Sequence, residues 1–233
     1  MNAVITGASR GIGRATAEIF ATHGYDLYLC SKNEKNLSET VEELKQDFPN
    51  VSISGRAYDL GKKLEANQFG EWVNSNADTV DVLVNNVGTF IQGNVSDEPD
   101  GALEAMLEVN LFSAYYTTRA ILPKMKEVKS GHIFTVCSIA SLAAYPNGGA
   151  YSISKFALLG FSRNLRRELQ PSGIKVTAII AGAVYTDSWK GSGVSEQRIM
   201  EAEDISKIIF NATQLSPQAV PEEIIVRPQL GDL

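Results

Sequence analysis

Short apolar runs alternate with longer amphipathic segments along nearly the whole chain of 233 residues. Strands separated by helices imply right-handed β-α-β units, which place the strands in a parallel sheet covered by helices on both faces. The alternation therefore predicts a doubly wound α/β fold. The predicted strands are residues 3–6, 26–30, 51–58, 81–84, 132–136, 175–180 and 223–226, and the predicted helices are 11–23, 34–47, 62–76, 99–125, 149–170 and 201–213.

The length of the chain fits one large α/β domain or two small ones. The alternation is not broken by a linker, a repeat or a low-complexity segment, so we interpret residues 1–233 as a single domain. The main irregular stretch, residues 181–194, follows a strand and contains Gly182, Gly191 and Gly193. Ligands bind at the carboxyl edge of such sheets. We therefore expect this stretch to cover a substrate, and the alternative is an ordinary surface loop.

The charge and hydropathy of the chain argue against large anionic partners. A net charge of −6 disfavours binding to nucleic acid or to an anionic membrane surface. No apolar run approaches the ~18 residues that span a bilayer. The first strand and a glycine turn follow Met1 too closely to leave room for a secretory leader. We expect a cytoplasmic protein whose partner is a small molecule.

Cysteines and histidines are few and scattered. Cys30 and Cys137 each lie in an apolar, strand-like run. Two isolated cysteines do not build a disulfide framework, so both are expected to be buried thiols in a reducing compartment. His23 and His132 are far apart and near neither a cysteine pair nor a carboxylate cluster, so a metal site is not expected.

A glycine-rich turn, T-G-A-S-R-G-I-G at residues 6–13, connects the first strand to the first helix. Glycine lets the backbone bend tightly there and lets a phosphate approach, while the helix offers free N–H groups and the positive end of its dipole. A pyrophosphate is the natural ligand, and a tight turn without a ligand is the alternative. The spacing of Gly7, Gly11 and Gly13 is G-x-x-x-G-x-G rather than the G-x-G-x-x-G fingerprint.

The ordered motifs resemble those of the short-chain dehydrogenase/reductase family. They are the glycine turn at 6–13, N-N-V-G at 85–88, Ser138, and Y-S-I-S-K at 151–155. The resemblance extends from residue 3 to the last predicted strand and is nearest to 3-oxoacyl-acyl-carrier-protein reductases and sepiapterin-reductase-like enzymes. It implies a Rossmann-type, seven-stranded parallel sheet in the order 3-2-1-4-5-6-7 that binds NAD or NADP.

The resemblance also implies a catalytic tetrad of Asn110, Ser138, Tyr151 and Lys155. In the family's reaction a tyrosine exchanges a proton with the substrate oxygen, although the ordinary pKa of a phenol is ~10. Lys155 follows Tyr151 by about one helical turn, so its ammonium would stabilise the phenolate. Ser138 would hold the substrate oxygen. Asn110 would mark a helix distortion that holds a water of the proton relay. Without the resemblance, Ser138 could cap a turn and Asn110 could be a solvated polar residue.

Further residues are implied as cofactor contacts in the glycine turn and at the ends of several strands. Asn85 is expected to brace the central strand, and Gly88 to let the backbone approach the adenosine ribose. The family's usual proline after the sixth strand is Ala181 here, which leaves that turn less fixed. The implied contacts are Gly7, Ser9, Arg10, Gly11, Ile12, Gly13, Ser31, Lys32, Asp59, Leu60, Asn86, Gly88, Gly182, Val184 and Thr186, together with Tyr151 and Lys155.

The residues after the second strand favour NADP(H) over NAD(H). Sites that prefer NAD place a carboxylate there to bind the ribose 2′-hydroxyl. This chain has Ser31 and Lys32 instead, and Arg10 lies in the glycine turn. A hydroxyl and two cations suit a 2′-phosphate. We therefore predict NADP(H) as cofactor, with NADPH preferred over NADH.

The predicted activity is interconversion of a carbonyl and an alcohol. A dinucleotide sensor without catalysis is one alternative, although a sensor does not require both Tyr151 and Lys155. An epimerase or dehydratase of the extended branch is disfavoured by chain length and glycine spacing. Relatives pair through the helices that correspond to 99–125 and 149–170, so a homodimer or homotetramer is expected. Apolar side chains for that contact, or for the core, are Leu111, Phe112, Leu158 and Phe161.

Overall fold

Seven parallel strands form one sheet in the computed structural model, which describes residues 1–189 and 193–233. Their order across the sheet is β3-β2-β1-β4-β5-β6-β7, so the Rossmann-type order expected from the resemblance is confirmed. The predicted strand at 51–58 is shorter than expected. The strands are β1 (Asn2–Thr6), β2 (Asp26–Ser31), β3 (Ile53–Ala57), β4 (Val82–Asn85), β5 (Gly131–Ser138), β6 (Ile174–Ala181) and β7 (Glu223–Val226).

Helices connect the strands and cover both faces of the sheet. The segment predicted as one helix over 99–125 consists of two α-helices joined by a π-helical turn at Glu108–Phe112. This turn confirms the distortion expected at Asn110. None of the helices within the described residues is long and apolar enough to cross a membrane. The α-helices are α1 (Gly11–Thr22), α2 (Glu34–Asp47), α3 (Lys63–Asn76), α4 (Ala102–Leu107), α5 (Ser113–Val128), α6 (Gly149–Leu169) and α7 (Ala202–Thr213).

Alternate residues of the central strands enter two cores, one on each face of the sheet. In β1, Ala3 and Ile5 pack in the same core as Phe20 of α1, whereas Val4 packs in the core that contains Phe69 of α3. All five residues are fully buried. Burial on both faces explains why the strand is an unbroken apolar run. Each large apolar side chain buried in this way contributes ~1.5–3 kcal/mol to folding.

Both thiols lie inside the fold, as expected from their apolar flanks. Cys30 and Cys137 are buried and free. Burial is the main cause that raises the pKa of Cys30 to about 12 and the pKa of Cys137 to about 11. Both sulfurs are therefore protonated at neutral pH and behave as small apolar side chains.

The strand order reverses between β1 and β4, where Ile5 pairs with Val84. The turns that follow these strands therefore leave the same edge of the sheet side by side, which is where open α/β sheets bind ligands. The irregular stretch after β6 starts from the same edge and contains a short 3₁₀ helix at Asp187–Trp189. Residues 190–192 of that stretch, with Gly191, lie outside the described residues.

Candidate active site

Asn86, just after β4, holds the glycine turn in shape. Its Nδ2 donates to the carbonyl oxygens of Thr6 at 3.0 Å and of Gly7 at 3.2 Å. Gly7 and Gly11 have φ of 65° and 53°, a left-handed conformation that favours glycine. A Cβ on Gly13 would lie 2.2 Å from the carbonyl oxygen of Gly7. The glycines therefore let α1 begin directly against the turn.

The first turn of α1 can offer its backbone N–H groups to an anion. Among the residues that the structure describes, no side chain caps this helix at Arg10, and its first turn contains no acidic residue. In α2, by contrast, the side chain of Asn33 accepts from the N–H of Asn36. Ile12 packs partly against the core, so its contribution to a ligand would be its backbone. The uncapped turn fits the pyrophosphate of a dinucleotide.

The end of β2 lies beside the glycine turn. The hydroxyl oxygens of Ser9 and Ser31 are 2.9 Å apart. Lys32 forms an ion pair with Asp59, with 2.9 Å between nitrogen and oxygen, and the hydrogen bond to this carboxylate is the main cause that raises the pKa of Lys32. The lysine side chain is 77% exposed. Because an exposed ion pair is weak, Lys32 is able to exchange this carboxylate for a phosphate.

The segment after β6 also lies against the glycine turn. Arg10 and Asp187 form an ion pair of 2.8 Å. A Cβ on Gly11 would lie 3.1 Å from the methyl carbon of Thr186. Val184 is buried and pairs with Met200 in an isolated β-bridge. The predicted contacts from the glycine turn and from this segment are thus brought together.

Tyr151 and Lys155 lie one turn apart on α6, near the carboxyl ends of β4 and β5. Lys155 is buried, and its Nζ donates to the carbonyl oxygen of Val136 at 3.1 Å. The same nitrogen lies 5.9 Å from the centroid of the Tyr151 ring. A Cβ placed on Gly88 would lie 3.4 Å from Nζ of Lys155. The phenol, the ammonium and the turn after β4 therefore converge on one point.

Ser138 is the last residue of β5, and its side chain is fixed by the short 3₁₀ helix that follows. Its Oγ accepts from the N–H of Ala140 at 3.1 Å, while its own N–H donates to Oγ of Ser141 at 3.2 Å. Ser152, next to Tyr151, donates to the carbonyl oxygen of Ala140 at 3.1 Å. These bonds tie the Ser138 turn to the start of α6. Within the residues that the structure describes, Oγ of Ser138 accepts the bond from Ala140 and donates none, so its hydrogen is available to a ligand oxygen.

Asn110 is fully buried in the π-helical turn and joins three segments. Its Oδ1 accepts from the N–H of Thr89 at 2.7 Å, and its Nδ2 donates to the carbonyl oxygen of Thr89 at 3.0 Å and to Oγ of Ser154 at 2.9 Å. Ser154 in turn donates to the carbonyl oxygen of Tyr151 at 2.7 Å. The side chain of Asn110 is therefore committed to holding the turn after β4 against the helix that carries Tyr151.

Three further predicted residues belong to the framework around this point. Leu60 is buried in the core on the α3 side, which leaves only its backbone for a ligand. The N–H of Gly182 donates to the carbonyl oxygen of Val226 at 2.8 Å. Asn85 is buried and donates to the hydroxyl of Thr118 at 2.9 Å. This bond links β4 to α5, as expected of a residue that braces the central strand.

Two residues of the segment between β4 and α4 reach the site although the sequence motifs do not single them out. The ring of Phe90 lies edge-on to the ring of Tyr151, with 4.9 Å between centroids and 80° between planes. Glu98 reaches the first turn of α6. The segment has neither helical nor strand periodicity, and both contacts span more than 50 residues. The one sequence signal available for Glu98 is its carboxylate, because a carboxylate is able to cap the N-terminus of α6.

Comparisons with known proteins point to one family. The family model described as short chain dehydrogenase matches residues 1–197. An uncharacterized oxidoreductase of Staphylococcus saprophyticus is 30% identical over 226 residues, which cover 97% of this chain and 96% of that protein.

Solved structures with the same fold extend the likeness. An alcohol dehydrogenase from the archaeon Thermococcus sibiricus, complexed with 5-hydroxy-NADP, has 28% identity and a TM-score of 0.89, covering 98% of this chain and 96% of that one. L-Sorbose reductase from Gluconobacter frateurii, complexed with NADPH and L-sorbose, has 26% identity and a TM-score of 0.87, covering 97% and 94%.

Proposed function

Because this chain belongs to the short-chain dehydrogenase/reductase family, we propose that it is an NADP(H)-dependent oxidoreductase that interconverts a carbonyl and a secondary alcohol, with Tyr151 as general acid and base. The observation that carries the proposal is the convergence of three groups. The buried ammonium of Lys155, the ring of Tyr151 and the turn at Gly88 meet at the edge of the sheet where the strand order reverses.

In the reductive direction, NADPH held at the glycine turn would supply the hydride that the carbonyl carbon accepts. Tyr151 donates its phenolic proton to the carbonyl oxygen as that oxygen gains negative charge. Lys155, held out of water beside the ring, stabilises the phenolate that this transfer leaves. Ser138 donates its free hydrogen to the same carbonyl oxygen, as an oxyanion-hole donor does. In the oxidative direction the same groups remove the proton from the alcohol.

Asn110 has a positioning role in this scheme. Its side chain holds Thr89 and Ser154, so the turn after β4 and the helix of Tyr151 keep a fixed separation. The π-helical turn around Asn110 also frees backbone groups from the regular helix ladder. We propose that this turn holds the water that returns a proton through Lys155 to Tyr151.

NADP(H) is the proposed cofactor, with NADPH preferred. The two similar structures named above are complexes with 5-hydroxy-NADP and with NADPH. In this chain, Arg10 and Lys32 are exposed cations that directly follow Ser9 and Ser31 in the sequence, and the hydroxyls of these two serines lie 2.9 Å apart. Such a group suits a ribose 2′-phosphate. The cofactor contacts predicted from the sequence remain part of this proposal.

The proposal includes a single catalytic domain that forms a homodimer or homotetramer in the cytoplasm. Ile153 and Phe156 are 42% and 45% exposed on α6. This helix is one of the two through which relatives are expected to pair. Leu158, by contrast, is buried in the core of the protomer and does not serve an interface. Sedimentation of the purified protein measures the state of association directly.

The experiment that tests the proposed function follows NADPH oxidation with a panel of ketones and aldehydes, and NADP⁺ reduction with the matching alcohols. We expect turnover by the native protein and a loss of kcat of roughly 10²–10⁴ in Tyr151→Phe, the range typical of a lost general acid. NADPH binding, followed by fluorescence, is expected to be unchanged in that variant.

Tyr28→Phe is the matched control, because Tyr28 lies on β2 and its hydroxyl donates to the backbone of Asn76 rather than to the site. It is expected to turn over at the native rate. Native protein that binds NADPH without oxidising or reducing any member of the panel would make the sensor alternative correct. Full activity in Tyr151→Phe would remove Tyr151 from the mechanism.

A further inference from the structure

Large apolar side chains stand exposed at the mouth of the site. Phe90 and Ile91, two and three residues after Gly88, are 46% and 51% exposed, and Tyr145 is 40% exposed. Single exposed apolar residues are common on protein surfaces. Here, however, the ring of Phe90 also lies against the ring of Tyr151. One of the exposed apolar groups is thus in contact with the residue that exchanges the proton.

The position of Phe90 is fixed by the buried framework of the site. The preceding residue, Thr89, is held through both its N–H and its carbonyl oxygen by Asn110. An edge-to-face arrangement of two rings at this separation is itself favourable by ~0.5–1.5 kcal/mol. The exposed face of Phe90 is therefore a preformed surface next to the phenol.

The segment that carries Tyr145 lies beside the segment that carries Phe90. The N–H of Gly93 donates to the carbonyl oxygen of Asn147 at 3.2 Å, and the N–H of Asn147 donates to Oδ1 of Asn94 at the same distance. Burial, and after it the proximity of Tyr151, raises the pKa of Tyr145 to about 12. The phenol of Tyr145 therefore stays neutral at physiological pH and lies near Tyr151.

Both segments are free of charge. Residues 88–96 and 139–148 contain no aspartate, glutamate, lysine or arginine. Neither segment itself supplies a charged partner for a carboxylate, phosphate or ammonium on the substrate. The nearby carboxylate of Glu98 already accepts a hydrogen bond from the N–H of Ala150. A flat apolar group next to the carbonyl would instead cover Phe90 and Tyr145 and remove apolar surface from water.

We propose that the substrate is an uncharged ketone or aldehyde with an aromatic or similarly large apolar group beside the carbonyl, and that Phe90 and Tyr145 are the residues that select it. This inference rests on the proposed carbonyl–alcohol activity. It separates the chain from the similar L-sorbose reductase, whose bound substrate is a sugar.

The test uses two keto esters that differ in one group, ethyl benzoylformate with a phenyl and ethyl pyruvate with a methyl on the reacting carbon. L-Sorbose serves as the polyhydroxylated comparison, and benzoylformate as the charged one. We expect the native protein to prefer the phenyl ester by at least about tenfold in kcat/KM, within the range that an apolar pocket achieves. Turnover of benzoylformate and of L-sorbose is expected to be lower still.

Phe90→Ala is expected to lower kcat/KM for ethyl benzoylformate by about tenfold or more, and for ethyl pyruvate by less than about threefold. Phe90→Leu retains an apolar side chain and is expected to fall between. Leu64→Ala, which shortens a 70% exposed apolar side chain on α3, is the control. The Leu64→Ala variant should prefer ethyl benzoylformate over ethyl pyruvate by the same factor in kcat/KM as the native protein.

The outcomes separate this inference from the proposed function. Equal turnover of the two esters, or a preference for ethyl pyruvate, benzoylformate or L-sorbose, overturns the inference and leaves the carbonyl–alcohol activity in place. An equal loss on both esters in Phe90→Ala and Phe90→Leu would mean that Phe90 positions Tyr151 without selecting substrate, which also overturns it. Absence of turnover with every carbonyl and alcohol would overturn both proposals.

Discussion

Oε2 of Glu98 accepts a hydrogen bond of 3.0 Å from the backbone N–H of Ala150, the residue before Tyr151. Gly149, which begins α6, passes so close that a Cβ there would lie 2.5 Å from the same carboxylate oxygen. A carboxylate at the N-terminal end of a helix accepts a hydrogen bond from an otherwise unpaired N–H group and interacts favourably with the positive end of the helix dipole. The segment between β4 and α4 is thereby fastened to the helix that carries the proposed catalytic pair.

Removal of this carboxylate is expected to affect both stability and turnover. Glu98→Ala should lower the free energy of unfolding by roughly 0.5–2 kcal/mol, as loss of an N-terminal cap does. It should also lower kcat by about tenfold, because the start of α6 and hence Tyr151 lose a fixed position. Denaturant unfolding and steady-state kinetics with one carbonyl substrate measure the two effects.

Two companion variants sharpen that measurement. Glu98→Gln keeps an acceptor oxygen without the charge and should recover most of the lost kcat. Asp100→Ala removes an exposed carboxylate two residues further along and should match the native protein in both assays. A native kcat in Glu98→Ala would show that α6 is positioned without this contact.

Cofactor preference is expected to depend on Lys32. Lys32→Ala removes a cation beside the Ser9–Ser31 pair, so the Kd for NADPH should rise roughly tenfold, the effect of losing one charge-assisted hydrogen bond. The Kd for NADH, which has no 2′-phosphate, should change by less than about threefold. Fluorescence titration of each cofactor gives the ratio of the two constants.

Lys62→Ala is the matched control for Lys32. The ammonium of Lys62 approaches the same carboxylate of Asp59, but at 3.9 Å rather than 2.9 Å. Loss of positive charge near Asp59 is thus common to both variants. If both variants changed the ratio of the NADPH and NADH dissociation constants equally, the cause would be a general effect of charge and not a specific contact between Lys32 and the 2′-phosphate.

Local apolar patterns predicted the strands and a parallel sheet, because strand burial is visible in short stretches. The strand order and the residues that meet at the edge of the sheet were predicted from the resemblance, which the ordered motifs carry. The contacts of the segment after β4 were not predictable in this way. Glu98 meets Ala150 across 52 residues, and Phe90 meets Tyr151 across a similar span. Such contacts depend on how irregular segments fold over the edge of the sheet, for which no periodicity exists.

His132 is expected to make the protein less stable in mild acid. Its Nε2 lies 2.7 Å from Oγ1 of Thr177, whose own hydrogen is donated to the carbonyl oxygen of Pro221. Nε2 is therefore the protonated nitrogen of a neutral ring, and Nδ1 has no hydrogen-bond partner among the described residues. Burial, and after it the charge of Lys175, lowers the pKa of His132 to about 3.

Between the ordinary histidine value near ~6.5 and about 3, the unfolded chain binds a proton at this position and the native chain does not. The free energy of unfolding should therefore fall as the pH falls through that window, by up to ~1.4 kcal/mol per pH unit from this group. Above pH ~6.5 the group should contribute no pH dependence.

His132→Gln retains an amide N–H that does not titrate. The difference in unfolding free energy between native protein and this variant should move in favour of the variant as the pH is lowered from 7 to 5, by ~2 kcal/mol. His23→Gln makes the same change at an exposed position and controls for the substitution itself. A difference that stays constant with pH would show that His132 binds a proton as readily in the native protein as in the unfolded chain.

The glycine turn offers a last prediction, in which loss of stability and loss of cofactor binding separate. In Gly13→Ala the new Cβ meets the carbonyl oxygen of Gly7 at 2.2 Å, so the start of α1 must move away from the turn. Its N–H groups then no longer point at a bound pyrophosphate. We expect the Kd for NADPH to rise by at least about tenfold, which corresponds to ~1.4 kcal/mol.

Gly70→Ala produces a comparable clash elsewhere. Its Cβ would lie 2.3 Å from Cβ of Ala120, where α3 packs on α5. Overpacking of this kind should lower the free energy of unfolding by ~1–3 kcal/mol, whereas NADPH affinity should stay native because the turn is untouched. Unfolding curves and NADPH titrations of both variants make the comparison. Native NADPH affinity in Gly13→Ala, or an equal loss in Gly70→Ala, would mean that the close fit between α1 and the turn does not serve the cofactor.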